Sequence, residues 1–301
     1  MARPAFQWTE SGHEKGGKEK RLPALRDRQV VPQVFMGKHP CTIMDFSQSF
    51  KKIRDRKGSQ LCVGIDPAYP GMRDRNVIPA TGRPADDILS FALDIVEQTG
   101  TAAAVFKPNM QYIMPLGLEE MQELNAAIHA AGSLSLLDVK VSDIGETNIA
   151  CCHWAKEAGF DAITGSPFPG NIASLWEACS GADLGLFVLC LMSNPEAGTF
   201  MKSRIGDEVA YRVIARDIRS LGVTGAVVGA TVASEDARAI AAELPSSLVL
   251  VPGIGAQQGT TDVLALFGDR CVVNVSRGVI FDENPGAKAE AYRDLIAKIC
   301  P

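Results

Sequence analysis

The sequence predicts an α/β fold, a closed (β/α)8 TIM barrel, and three observations predict it. Short apolar, β-branched runs alternate with amphipathic helical segments eight times in succession. The strand-like runs are near-continuously apolar, as strands buried on both faces are. Charged and polar residues gather at the C-terminal ends of those runs, where barrel enzymes carry their chemistry. An open doubly wound sheet is the alternative, but eight buried strands in sequence suit closure better.

Residues 1–43 differ from everything after them. They are polar, broken by Gly16, Gly17, Pro23, Pro32 and Pro40, and carry eight basic against four acidic residues. Such a stretch buries too little apolar surface to order itself, so a flexible basic tail is expected, followed by a barrel domain over 44–301. The basic bias also fits an organelle-targeting leader, and a start at Met44 fits equally well. Beyond the tail, a short helical pattern around Phe50–Ile53 leads to the first strand, Leu61–Asp66. Further strands are expected at Ala102–Lys107, Ser135–Lys140, Ala162–Ser166, Gly185–Met192, Gly225–Ala230, Leu248–Pro252 and Val272–Val275. Helices are expected between them, among others at Asp86–Thr99, Leu118–Ala131, Glu146–Ala158, Asp207–Leu221, Ser234–Leu244 and Pro285–Cys300.

Composition excludes several function classes. A net charge of −5 argues against a general nucleic-acid binder. The apolar stretch Leu184–Met192 falls well short of the ~20 residues that span a bilayer, so no membrane partner is expected. Eight cysteines, at 41, 62, 151, 152, 179, 190, 271 and 300, form no C-x-x-C pair and no zinc-like spacing with His13, His39, His129 and His153. Free thiols acting as small apolar residues in a reducing, cytoplasmic setting are the expectation, with organelle targeting left open by the tail.

The motif at the chain's chemical centre is Asp138-Val139-Lys140-Val141-Ser142-Asp143. In an extended strand, residues two apart share a face, so Asp138 and Lys140 enter whatever that face lines. A strand-edge ion pair is the ordinary alternative for a lone D-x-K, and three charges crowded at one strand end weaken it. Lys107-Pro108-Asn109, closing the second strand, adds another lysine at the same barrel mouth. Alternating lysines and carboxylates fit a reaction that creates negative charge on carbon and then delivers a proton there. A Schiff-base lysine is the competing use, but flanking carboxylates favour the charged ammonium.

A second constellation follows strands seven and eight. Pro252-Gly253-Ile254-Gly255-Ala256-Gln257-Gln258-Gly259 and Ser276-Arg277-Gly278 stand where such barrels often hold a phosphate. Glycine backbone N–H groups, the Gln257 amide and the Arg277 guanidinium all donate to phosphate oxygens. The G-x-G-x-x-x-G spacing does not fit a dinucleotide loop.

Taken together, L-C-V-G-I-D-P, F-K-P-N, L-D-V-K-V-S-D-I-G-E-T-N, L-M-S-N-P, V-P-G-I-G-A-Q and S-R-G resemble the orotidine 5′-phosphate decarboxylase family, in order from Leu61 to Phe281. The resemblance implies a carboxy-lyase that converts orotidine 5′-monophosphate to UMP and CO2 without cofactor or metal. It implies a catalytic array of Lys107, Asp138, Lys140 and Asp143, with Asp143 contributed to the neighbouring subunit's site in a homodimer. Ile144 and Thr147 would cross with it. Asp66 and Lys107 would bind ribose hydroxyls, Ser193 the pyrimidine, and Gln257 and Arg277 the phosphate. The loop Pro195–Lys202 does not match the family residue by residue. Related barrels, 3-keto-L-gulonate 6-phosphate decarboxylase and hexulose-phosphate synthase, also carry D-x-K-x-x-D and work through a Mg2+-bound enediolate. They place a carboxylate at the end of strand two, where this chain has Lys107. A non-catalytic nucleotide-binding barrel is the remaining alternative.

Overall fold

Eight parallel strands close on themselves in a computed structural model that describes residues 45–254 and 261–300. The tail expected over residues 1–43, and Gln257 with its neighbours, lie outside the described residues. The strands are β1 (Leu61–Ile65), β2 (Val105–Pro108), β3 (Leu134–Val141), β4 (Ala162–Gly165), β5 (Gly185–Leu191), β6 (Gly225–Val228), β7 (Leu248–Pro252) and β8 (Cys271–Val275). Each pairs in parallel with its neighbours in chain order, and β1 closes on β8 through Leu61 opposite Val273 and Val63 opposite Val275. The closed barrel is the expected one, and the open sheet is set aside.

Helices on the outside connect the strands: α1 (Phe46–Lys57), α2 (Pro84–Thr99), α3 (Met110–Ile113), α4 (Leu118–Ala130), α5 (Gly145–Glu157), α6 (Ile172–Gly181) and α7 (Ala197–Phe200) come first. They are followed by α8 (Ala210–Leu221), α9 (Ser234–Glu243), α10 (Thr261–Phe267), α11 (Arg277–Ile280) and α12 (Pro285–Ile299). The helix expected from Asp207 starts three residues later. Gly206, at φ +62°, turns the chain there, and Arg204–Ile205 pairs with Glu208–Val209 as a two-residue hairpin instead.

Alternation along the strands divides the core into two apolar layers. Cys62, Val105, Leu136, Phe187, Leu189, Val227, Leu250 and Val272 fill one with Phe46 and Phe50 of α1. Their neighbours in sequence, such as Leu61, Val63, Phe106, Leu137, Leu186 and Val273, join the helices in the other. The N-terminal end of the barrel is closed by α1. Its Asp45 cap accepts from the Gln48 N–H at 2.8 Å, and Phe46 meets Phe187 edge to face at 5.4 Å. Two glycines make room for that aromatic pair: a Cβ on Gly185 would sit 2.9 Å from the Phe46 Cβ, and one on Gly225 2.8 Å from the Phe187 ring. At the other end of α1, the Lys57 ammonium donates to the carbonyls of Gly100, Ala103 and Ala131 and to the Ser133 hydroxyl, at 2.6–2.9 Å. The plug is thereby tied to the chain entering β2 and β3, and the opposite end is left for chemistry. Among the described residues no helix is long and apolar enough to cross a membrane, and the seven described cysteines are free thiols.

Candidate active site at the barrel mouth

The last residues of β2 and β3 build the centre of the site. Lys107 on β2 is buried, and its ammonium stands 2.6 Å from the Asp138 Oδ2 atom. Lys140 lies two residues beyond Asp138 on β3, with its ammonium 2.6 Å from Oδ1. The Thr164 hydroxyl, at the end of β4, donates to the same Oδ1 at 3.0 Å and accepts the Lys140 backbone N–H at 2.8 Å. Asp138 is therefore met by a cation on each oxygen.

The backbone achieves this in a way that strict alternation does not describe. Lys140 has φ +51°, in the left-handed region that a residue with a Cβ rarely occupies, and the β3–β4 register shifts between Leu137 and Val141. Asp138 and Lys140 do meet, but through a bulge rather than an extended strand. The Thr164 hydroxyl that receives the displaced Lys140 N–H helps to hold the strained conformation.

Burial and charge compete strongly here. Burial alone would raise the Asp138 pKa, yet Lys107 and Lys140 outweigh it and hold the carboxyl well below the usual carboxylate range. Burial likewise opposes charge on Lys107, while Asp138 and Asp66 hold its ammonium above the ordinary lysine range. The Lys107 side chain is 5% exposed and that of Lys140 is 35% exposed. Lys140 is thus the cation a ligand in the mouth can reach, and Lys107 is the one that fixes Asp138. Burial pushes the neighbouring Cys62 thiol up to about 12, so it stays protonated and inert.

Around this centre the other expected residues fall as follows. Asp66 follows β1 and accepts from the Ser276 hydroxyl of the neighbouring β8 loop, while its Oδ1 is buried without a hydrogen-bond partner among the described residues. Ser193 follows β5, where Gly229 allows close approach: a Cβ there would stand 2.7 Å from that of Ser193. Arg277 is exposed and opens α11. Asp143, Ile144 and Thr147 are exposed at the start of α5, and the Asp143 carboxylate accepts the Ile144 N–H at 2.8 Å rather than joining the lysines of its own chain. Gln257 lies outside the described residues.

Sequence reasoning missed Thr164, the bond from Ser276 to Asp66, and Asn148 and Asn171, whose amides donate to the Asp143 carbonyl at 2.8 and 2.9 Å. For Thr164 and Ser276 there was a signal, a hydroxyl residue at the C-terminal end of an apolar strand. Among the described residues no group of three His, Cys, Asp or Glu side chains could hold a metal ion.

Comparisons with known proteins place the chain in a family. Residues 59–292 match the model of the orotidine 5′-phosphate decarboxylase / HUMPS family. The chain is 34% identical over 259 residues to an orotidine 5′-phosphate decarboxylase of Herpetosiphon aurantiacus, covering 83% of this chain and 94% of that protein. It is 33% identical over 270 residues to the Ralstonia pickettii protein of the same name, with 83% and 94% covered. The fold is similar to the structure of Leishmania donovani OMP decarboxylase, with a TM-score of 0.72, 28% identity, and 85% of this chain and 99% of that one covered.

Proposed function

The chain belongs to the orotidine 5′-phosphate decarboxylase / HUMPS family, and from that membership we propose that it decarboxylates orotidine 5′-monophosphate to UMP and CO2. The observation that carries this reading is the Lys107–Asp138–Lys140 array, with its one reachable ammonium at Lys140. The substrate carboxylate lies beside Asp138, which repels it. Lys140 stabilises the C6 carbanion left when CO2 departs, then delivers a proton to that carbon. Neither metal nor cofactor takes part in these steps.

Magnitudes divide the labour. Two unit charges ~4 Å apart at an effective dielectric near 20 interact by only ~4 kcal/mol. A barrier reduction of the ~20 kcal/mol reached for slow reactions needs more than that. Stabilisation of the carbanion, together with phosphate binding energy used to close the mouth, supplies the larger share. In this reading the unpartnered Asp66 Oδ1 accepts a ribose hydroxyl with Lys107 nearby, Ser193 meets the pyrimidine, and Gln257 and Arg277 hold the phosphate. Asp143, Ile144 and Thr147 serve the partner's site in a homodimer. Support for that comes from Ile144, Ile149 and Trp154 on and beside α5, which are 64%, 58% and 59% exposed.

The Mg2+-dependent reaction of related barrels is disfavoured because Lys107, a cation committed to Asp138, stands where those enzymes place a carboxylate. A direct absorbance assay with orotidine 5′-monophosphate, with and without EDTA, tests the proposal. Turnover unaffected by EDTA is expected. Turnover abolished by EDTA would favour the metal-dependent chemistry, and binding without turnover would make the barrel a nucleotide sensor.

A further inference from the structure

The α5–α6 contact holds a pair of thiols that the proposed mechanism does not use. Cys152 on α5 and Cys179 on α6 are both buried, 1% and 0% exposed, with their sulfurs 3.4 Å apart. Cys152 lies about one turn along α5 from Asn148, and Cys179 about two turns along α6 from Asn171, the two residues that clamp Asp143. Asn148, four residues before Cys152 and so on the same face of α5, donates to the Asp143 carbonyl, and Asn171, which precedes α6, donates to the same oxygen. The two helices that bring the thiols together therefore also position the Asp143 backbone.

We propose that Cys152 and Cys179 form a redox modification site, which a hydroperoxide closes into a disulfide that draws α5 against α6 and shifts Asp143. A disulfide needs an S–S distance of about 2.05 Å, so the sulfurs must close by more than ~1 Å, and the proposal assigns part of that closure to the two helices. Either sulfur can donate in this contact, and in the proposed first step Cys152 is the attacking sulfur. Its thiolate attacks one oxygen of hydrogen peroxide, breaking the O–O bond and giving a sulfenic acid and hydroxide, which takes up a proton as water. The Cys179 sulfur then attacks the sulfenic sulfur, forming the S–S bond. The hydroxide expelled takes the Cys179 proton as a second water. Two thiols lose two electrons, and one peroxide is reduced to two waters. Cys271 and Cys300 are a second pair of thiols in mutual contact, each also donating to the Leu264 carbonyl, at 3.6 and 3.5 Å, but they are remote in sequence from Asp143.

The chemical step stands independently of the proposed activity, and its consequence for catalysis rests on that activity. The reduced full-length protein is treated with stoichiometric hydrogen peroxide, remaining thiols are alkylated, and intact mass, peptide map and kcat/KM for orotidine 5′-monophosphate are measured. The expected result is an intact mass carrying two fewer alkyl adducts than the reduced, alkylated control, a linked Cys152–Cys179 peptide, and a kcat/KM lower by about fivefold or more, restored by dithiothreitol. Cys152→Ala and Cys179→Ala are expected to keep their activity under peroxide, and Cys151→Ala to respond as the wild type does. No linked peptide, linkage at Cys271–Cys300 instead, or linkage without a change in kcat/KM would overturn the proposal. Should an alanine variant fail to fold, the wild-type map and its reversal by dithiothreitol decide. Absence of turnover before oxidation would count against the proposed activity alone, because the disulfide is read by mass.

Discussion

Asp138 accepts from Lys107 on one oxygen and from Lys140 and Thr164 on the other, so its charge is largely compensated before any substrate arrives. A compensated carboxylate repels a second carboxylate weakly, whereas in the proposed mechanism the Lys140 ammonium faces the place where carbanion charge develops. Lys140→Ala is therefore expected to lower kcat/KM more than Asp138→Ala. Steady-state kinetics on both variants would check the order, and the reverse order would shift the main effect to ground-state repulsion. The residue types at this site were legible in the sequence, because a charged residue ending an apolar run stands out. The left-handed backbone at Lys140 was not, since the alternation argument assumes an extended chain, and the bulge depends on a register with β4. The partnership of Asp66 with Ser276 was equally hidden, because residues 210 positions apart become neighbours only when β1 closes on β8.

At the scale of elements, the barrel's closed end is set by one ring. Phe187 is fully buried, meets Phe46 of α1 at 5.4 Å, and occupies space left by Gly225. Truncation there leaves a cavity that close-packed neighbours refill only in part, so Phe187→Ala should cost about 3–5 kcal/mol. Because Phe187 lies in the layer that α1 plugs, kcat at moderate temperature should change little. Urea unfolding and turnover measured on the same preparation would check both, and a loss of kcat without loss of stability would contradict the assignment. Adding Gly225→Ala should not restore stability, since its Cβ would still stand 2.5 Å from the Leu248 carbonyl oxygen. All eight strands could be found from the sequence because each is an apolar run long enough to see. The 204–209 hairpin could not, as two-residue strands fall below any periodic window. The helix α6 was not singled out, and α7 has only four residues inside a segment that reads as loop.

At the scale of the whole molecule, the position of Asp143 decides how many chains make one site. Its carboxylate is turned to the Ile144 N–H, and its carbonyl is fixed by Asn148 and Asn171, so the segment is held outward by its own chain. Exposed Ile144 and Trp154 accompany it, an apolar surface beside a charge that the proposed mechanism requires. A twofold dimer would place each Asp143 at the partner's lysines, and this has a consequence no single-chain site shares. Asp143→Ala and Lys140→Ala homodimers should each be nearly inactive. After mixing and subunit exchange, half of the dimers are hybrids in which one site keeps both residues and the other loses both. Activity should rise to about a quarter of the wild-type value per site at equal mixing. Turnover before and after exchange, with exchange followed by mass-tagged subunits, is the measurement. Confirmed hybrids without recovered activity would mean that the array is completed within one chain, by movement of Asp143 toward its own Lys140.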